Sequence, residues 1–567
     1  MPACSIPTGH NAMFESTAPV EPPWIKQQLR VPRDDETLFA RPELSTVIEE
    51  ARNNVARLDE TSTDLSGRTI AQLREWSKND ILQAARQYTS ELTGEPISDP
   101  ADGLLLVAGH QPSLFHPGVW VKNFAVGALA KSCGGTALNL IVDNDTLSST
   151  QIRVPLGDRN SPQIEMVPFD DERPPQPWEE ATVANSQLFA SFGDRIGALM
   201  SIWNIEPLLS GMWPDAVRVA NASGSLRDAL TAARHRQERR WGCENLELPI
   251  SRVCQMDPFL WFASHLLLEL PRFRDVHNEV LGEFRKVNRI RSRTHPVPEL
   301  NAEHDGWLEA PFWVWRAGED QRQRAFAKQV GREIHLSDGK ETFATLPLSP
   351  DGEACCAVEV LRELPQRGIR LRTRALTTTL FSRLCLSDLF VHGIGGSKYD
   401  EMTDRIIHRF YRLAPPSFLT LSATLHLPLA EPFAVSTDDV TRRRRLQRDL
   451  EYNSDRHLTE SNSENVDSLI AEKQQLIAEQ KNATAGNLSR RQRRLRSRSN
   501  HDRFRRLREI GGRLSELTVE KRQQIEAELS DVAQQLAANA NLTNRELPFC
   551  LYPEAKLRSF MTELPVK

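Results

Sequence analysis

Leu104-Leu105-Leu106-Val107-Ala108, followed by Gly109-His110-Gln111-Pro112, is the stretch that decides the fold. A short apolar run closed by glycine reads as a strand buried on both faces, the kind found in parallel sheets. Pro117 then stands where a first helical turn tolerates proline, and Val119, Phe124, Ala125, Ala128 and Leu129 carry a helix to about Ser132. Gly134-Gly135 stops that helix. Thr136 to Val142 reads as a second strand, closed by Asp143-Asn144-Asp145. Strand, helix and strand in succession make one βαβ unit, the elementary piece of a doubly wound α/β sheet.

Outward from this unit the pattern extends in both directions. Residues 1–95 form a lead-in followed by helices. The first part, to about residue 42, is extended and anchored through Trp24 and Ile25; the second shows helical spacing at Val47, Ala51, Val55 and Leu58. Residues 96–435 form the core. Within it, strands are expected at 152–156 and 164–167. An inserted, mainly helical or connecting region covers about 170–300, with breaks at Pro174, Pro175 and Pro177. An aromatic strand is expected near Pro311-Phe312-Trp313-Val314-Trp315, and a small antiparallel hairpin at 334–336 and 342–346. The α/β pattern returns at 370–389, followed by Phe390-Val391-His392 with a second glycine loop, and by a last strand at 418–427. From residue 436 to 545 glycine and proline nearly vanish. Leu458, Val466, Leu469, Ile470, Leu476 and Ile477 recur at helical spacing, and Ala485-Gly486-Asn487 breaks the run before Leu507, Leu514, Ile525 and Val532 resume it. Two long helices folded back on each other bury such stripes. The tail, 546–567, carries Phe549, Tyr552 and Phe560 and is expected to dock on the core.

The 567 residues suffice for a large core, and a 39% hydrophobic share with 26% charged residues is an ordinary soluble balance. A net charge of −5 gives no overall pull towards nucleic acid or an anionic membrane. No stretch approaches ~18 consecutive apolar residues, and the first residues lack a secretory pattern, so a cytoplasmic chain without a membrane span is expected. The eight cysteines include no CxxC pair, which fits reduced, mostly buried thiols rather than a zinc or redox motif.

Three groups of residues are candidates for chemistry. Gly109, His110 and Gln111 end a strand ahead of a helix, where backbone approaches a ligand and the helix amino terminus favours an anion. His110 is a candidate acid, base or hydrogen-bond donor; Gln111 would orient a substrate, with His116, Lys122 and Asn123 at the same mouth. The same residues also read as a tight strand-to-helix turn with a capping histidine. Asp143 and Asp145 share that rim if the two strands are neighbours, and would hold an amine or a metal, or act as a base. A solvated Asp/Asn turn is the competing reading. The third group is His392, Gly393, Gly395, Gly396, Lys398, Tyr399 and Asp400, read as an anion nest after a strand; it matches neither the P-loop nor the dinucleotide spacing, and a connecting loop capped by Asp400 explains it too. The ten arginines between Arg490 and Arg508 favour a solvated helical face, partly neutralised by glutamates on the partner helix, over a nucleic-acid surface. The basic loop Asn288 to Pro296 reads equally as an outer grip on an anion or as plain surface.

Taken together, Gly109-His110-Gln111 after a strand, the carboxylates at 143–145, the later strand with its glycines and the long helical arm resemble the bacillithiol-biosynthesis cysteine-adding enzyme family. The resemblance runs over most of the chain, on a short specific motif. It implies a Rossmann-like parallel sheet core with helical insertions and a C-terminal antiparallel coiled-coil arm that supports a homodimer. It also implies a ligase or transferase joining cysteine, or a similar small molecule, to the amine of an anionic glucosamine-malate conjugate; a nucleotide is associated with the family fold. His110 and Gln111 carry over, and Asp143 and Asp145 stand where the family has its acidic pair. The chain departs from the family at 143–145, which lacks a histidine, and at 392–396, where the family has a Gly-Pro-Gly-Glu type signature. Two other readings stay open: a nucleotidyltransferase-like enzyme that binds nucleotide at the strand ends, and a non-catalytic assembly protein working through its arm.

Overall fold

The computed structural model describes residues 21, 23–24, 29–349, 351–458, 464–482 and 490–565, and divides into two compact units. The first unit comprises Met1–Val154, Glu165–Leu427 and Arg545–Lys567; the second comprises Pro155–Ile164 and Pro428–Asn544.

The first unit begins with β1 (Thr37–Arg41), α1 (Val47–Asp59) and α2 (Ile70–Thr93). The βαβ element follows as β2 (Leu105–His110), α3 (Pro117–Cys133) and β3 (Thr136–Ile141). Gly134 closes α3 with a left-handed φ of 65°, and a Cβ on Gly135 would overlap the Leu104 carbonyl. Only glycine lets Thr136 N–H reach that carbonyl, at 2.8 Å, and start the strand pair. Leu105 and Val107 join the cluster that holds Leu73, Ile81 and Ala85 of α2, while strand alternation sends Leu106 and Ala108 to the other face. All four are buried, and Leu105, Leu106 and Val107 are each worth roughly 1.5–3 kcal/mol when fully covered, which is why the run lacks polar residues.

A mainly helical stretch, including α4 (Leu226–Arg240), leads to β4 (Leu246–Pro249). Five antiparallel strands then appear: β5 (Leu308–Arg316), β6 (Gln323–Val330), β7 (Glu333–Ser337), β8 (Thr342–Pro347) and β9 (Ile369–Thr373), in spatial order β8-β7-β6-β5-β9. The expected aromatic strand and hairpin are two pieces of this larger sheet. After α5 (Ala375–Phe381) come β10 (Leu389–His392), α6 (Ile394–Tyr411) and β11 (Phe418–Thr424). The main sheet has the order β1-β11-β10-β2-β3-β4, parallel throughout except for β1. The chain steps outward from β2 to β3 and from β10 to β11 in opposite directions, so the order reverses between β2 and β10. The carboxyl ends of such strands are where ligands sit in open α/β sheets.

Three expectations are corrected. Thr37–Arg41 is an edge strand on the main sheet, not a lead-in lying outside it. The segment expected as a glycine loop is the start of α6: Gly393 is its cap, and helix runs from Ile394 through Gly395, Gly396, Lys398, Tyr399 and Asp400. Met402, Ile406, Ile407 and Phe410 bury one face of that helix, and this packing outweighs the low helix propensity of the glycines. The arm has four helical segments among the described residues instead of two.

Those four, all in the second unit, are α7 (Thr437–Tyr452), α8 (Glu464–Asn482), α9 (Arg490–Glu516) and α10 (Val519–Leu542). α7 packs on α10 and α8 on α9, with Leu450, Ile510, Leu514, Ile525 and Val532 buried. Arg506 forms a two-point pair with Glu472 at 2.7 and 2.8 Å, so part of the arginine run is neutralised by an adjacent helix. The expected anchor at Ile25, the break at 485–487 and the side chains of 490–498 lie outside the described residues. The tail, with α11 (Glu554–Thr562), returns to the first unit: Phe549 N–H donates to Phe115 O and Tyr552 Oη to Leu425 O. No helix among the described residues is long and apolar enough to cross a membrane.

Candidate functional site

The strand-end motif places its residues unequally. Gly109 and His110 finish β2, paired with Leu140 and Ile141 of β3. The His110 ring stands edge-on to Phe115, 4.8 Å between centroids, and its Nδ1–H donates to Gln111 O at 3.2 Å. Burial, then the nearby Lys122 charge, lowers its pKa to about 3. His110 is therefore a neutral imidazole near pH 7, with Nε2 an acceptor. Lys122 donates to Gly109 O at 3.2 Å, and burial lowers its pKa to about 8.

Asn123 and His116 have structural partners. Asn123 donates to Glu238 at 2.7 Å, inside a buried cluster in which Arg234 bridges Glu238 and Glu247. His235 completes it: burial opposes its charge, but its contacts with the two carboxylates outweigh burial and raise its pKa. Although His235, Glu238 and Glu247 lie close enough to hold a metal, Arg234 already occupies both carboxylates. The gap between this cluster and His110 is about 10 Å³, no more than one water fills. His116 caps α3, its Nδ1 accepting from Gly118 N–H at 3.1 Å. Val119 and Trp120 N–H both bond to His116 O, so the first turn of α3 has no donors left for the expected anion.

The two aspartates separate as well. Asp143 is fully buried and accepts from Arg227 at 2.8 Å, from Ser251 N–H at 2.8 Å and from Ser251 Oγ. Every oxygen is taken, and it ties β3 to the inserted helices. Asp145 keeps 42% side-chain exposure. It accepts from Gln111 Nε2 and Thr146 N–H, and pairs with Arg322 at 3.2 Å. The β2 and β3 ends are thus joined by a Gln111–Asp145–Arg322 chain.

That chain borders a cavity of about 240 Å³ outside the carboxyl end of β3. Asn144, Asp145, Arg322, Trp313, Arg374 and His277 line its polar side, and Phe273, Val297, Leu300 and Pro311 its apolar side. The Trp313 indole carries two guanidiniums, Arg374 at 4.3 Å and Arg322 at 5.0 Å from the ring centroid. Arg374 Nη1 pairs with the buried Glu309 at 2.8 Å. His277 is held neutral, burial lowering its pKa to about 4. No family model matches the chain, and no curated protein matches it in sequence.

The 392–400 group does not reach this cavity's lining. Asp400 is buried between Arg383, at 2.5 Å, and His392 Nε2, at 3.0 Å. Burial pushes its carboxyl up, but the Arg383 guanidinium and the hydrogen bond with His392 hold it far below the usual range. Gly393, Gly395 and Gly396 all have negative φ, Lys398 points to solvent, and Tyr399 stands edge-on to His295 at 5.7 Å. The geometry is that of a helix start, without the alternating backbone of an anion nest.

Sequence reasoning missed Trp313, Arg322, Arg374 and His277. Trp313 lay in the aromatic run read as a strand, and Pro296, at the end of the basic loop, also lines the cavity. Arg322 and Arg374 sit 52 positions apart and far from His110 in sequence; only the pairing of β9 with β5 brings Arg374 beside Trp313.

Proposed function

We propose that this chain is a ligase or transferase of the bacillithiol cysteine-adding type, joining an amino acid or similar small molecule to an amine-bearing anionic substrate. The observation that carries the proposal is the Gln111–Asp145–Arg322 chain beside the 240 Å³ cavity. In this reading the sheet is a Rossmann-like core and the arm an antiparallel coiled coil that pairs two copies. The chain works in the cytoplasm.

The roles differ from those expected of the sequence. Asp145, partly exposed, accepts the proton released as the substrate amine attacks the carboxyl carbon of the amino acid, whose oxygen leaves with the activating group that a nucleoside triphosphate co-substrate supplies. Gln111 holds Asp145 in place, and neutral His110, outside the cavity lining, positions Gln111 through the bond from Nδ1–H to its carbonyl. Asp143 holds the fold and takes no proton. Arg322 and Arg374 take over the anion-binding role expected of 393–398. A nucleotide-binding role at the strand ends has less support, because the α3 first turn is self-satisfied and the glycine segment is helical.

The test is product formation. Purified protein incubated with cysteine, glucosaminyl malate and magnesium ATP is expected to give the coupled product by mass spectrometry, with Asp145→Asn reducing the rate at least about 100-fold. No product from the wild-type protein, or an unchanged rate in the variant, rejects the proposal.

A further inference from the structure

Two residues that line the cavity beside Asp145 carry hydrogen-bonding atoms that no described residue satisfies. Arg374 uses only Nη1, for Glu309; its Nε and Nη2 are buried with no hydrogen-bond partner among the described residues. These two atoms form one edge of the guanidinium, and their N–H bonds run parallel. Asn144 is 4% exposed; its Nδ2 donates to Thr373 O at 2.8 Å, while its Oδ1 is likewise buried without a partner. Both residues line the same cavity. A buried donor or acceptor is normally hydrogen-bonded, and these three atoms of two neighbouring side chains match the polar groups of a ligand.

The charges add a second constraint. The cavity lining sets Arg322 and Arg374 against the carboxylate of Asp145, and outside the lining Glu309, which pairs with Arg374, is matched by Arg324. His277, neutral near pH 7, adds nothing. The surplus is one positive charge.

We infer that the Nε–Nη2 edge of Arg374 is a side-on clamp for a carboxylate, with Asn144 Oδ1 receiving a hydroxyl or ammonium donor from the same ligand. The inference rests on the proposed function only in taking this cavity as the substrate site. A planar carboxylate matches two parallel N–H donors. A monoanion matches the single surplus charge better than a phosphate dianion, and the walls formed by Phe273, Val297, Leu300 and Pro311 suit the carbon body of a small organic acid. Nothing here requires a bond to form or break.

The test is binding of L-lactate, L-lactamide and inorganic phosphate to the full-length protein, followed by ligand-observed NMR. L-lactate is expected to bind. L-lactamide, which keeps the hydroxyl but loses the anion, is expected to bind at least tenfold more weakly, as is phosphate. Arg374→Lys keeps a cation for Glu309 but loses the paired donors, and is expected to weaken L-lactate at least tenfold; thermal melting checks that it is folded. Lys340→Ala, outside this cavity, is expected to leave binding unchanged. Equal binding of lactate and lactamide, tighter binding of phosphate, or undiminished binding by folded Arg374→Lys overturns the inference, and the ligand comparison decides it even if that variant does not fold. Turnover plays no part in the readout: a chain that binds L-lactate in this way yet makes no coupled product loses the proposed function and keeps the clamp.

Discussion

Asp143 and Asp145 are separated by one residue at the end of β3, and their partners set them to different tasks. Asp143 has no exposure and shares its oxygens between Arg227 and Ser251. Removing one member of a buried ion pair strands the other, at a cost of about 3–5 kcal/mol. Asp143→Ala is therefore expected to lower the free energy of unfolding in urea by about that much. Asp145→Asn leaves a neutral amide at a half-exposed rim and is expected to change stability by less than about 1 kcal/mol while removing activity. Equal stability losses in the two variants would remove the distinction between them. Sequence reasoning reached both aspartates by the strand-end rule, but a strand end does not say which carboxylate turns inward. That is set by Arg227 on α4 and by Ser251 just beyond β4, more than 80 positions away.

Among the elements, α6 separates a phosphate loop from a packed helix most clearly. Gly395 has open space where a Cβ would stand, whereas a Cβ on Gly396 would meet His392 Nδ1 at 2.9 Å. Gly395→Ala is expected to raise the free energy of unfolding by about 0.5 kcal/mol with activity intact, since alanine gives up less backbone freedom in a helix. Gly396→Ala is expected to destabilise the protein by displacing His392 from Asp400. Loss of activity in a stable Gly395→Ala protein would restore the anion-nest reading. The βαβ unit was legible because local signals agree: an apolar run, proline at the helix start, and two glycines after its end. The five-stranded antiparallel sheet was only partly legible. β5, β7 and β8 show local patterns, but β9 joins through a partner more than 50 residues distant, and no short window records that pairing. Arg374, which follows β9, was lost with it. β1 was missed for the same reason, its partner β11 lying at the far end of the core.

Across the molecule, the interior holds several neutral histidines, and these give it a characteristic response to acid. Burial lowers the pKa of His110 to about 3 and those of His116, His265 and His277 to about 4. An unfolded chain protonates its histidines near pH 6.5, so it takes up protons first as pH falls. The stability held by these neutral imidazoles is complete above about pH 6.5 and is lost progressively down to about pH 4, at most about 2 kcal/mol per histidine by pH 5. The unfolding free energy is expected to fall steeply between pH 7 and pH 5, and His265→Gln to reduce that fall by up to about 2 kcal/mol. A pH-independent unfolding free energy over this range, or a slope unchanged in the variant, would show that these histidines are protonated in the native protein.

All residues assigned to the site belong to the first unit, at the carboxyl ends of β2 and β3 and beneath Trp313 of the antiparallel sheet. A crystal of the protein soaked with cysteine and glucosaminyl malate tests that location most directly. The expected result is ligand density in the 240 Å³ cavity, with a carboxylate on the Nε–Nη2 edge of Arg374 and an amine facing Asp145. Density at the start of α6, with the cavity beside Asp145 left unfilled, would contradict the account.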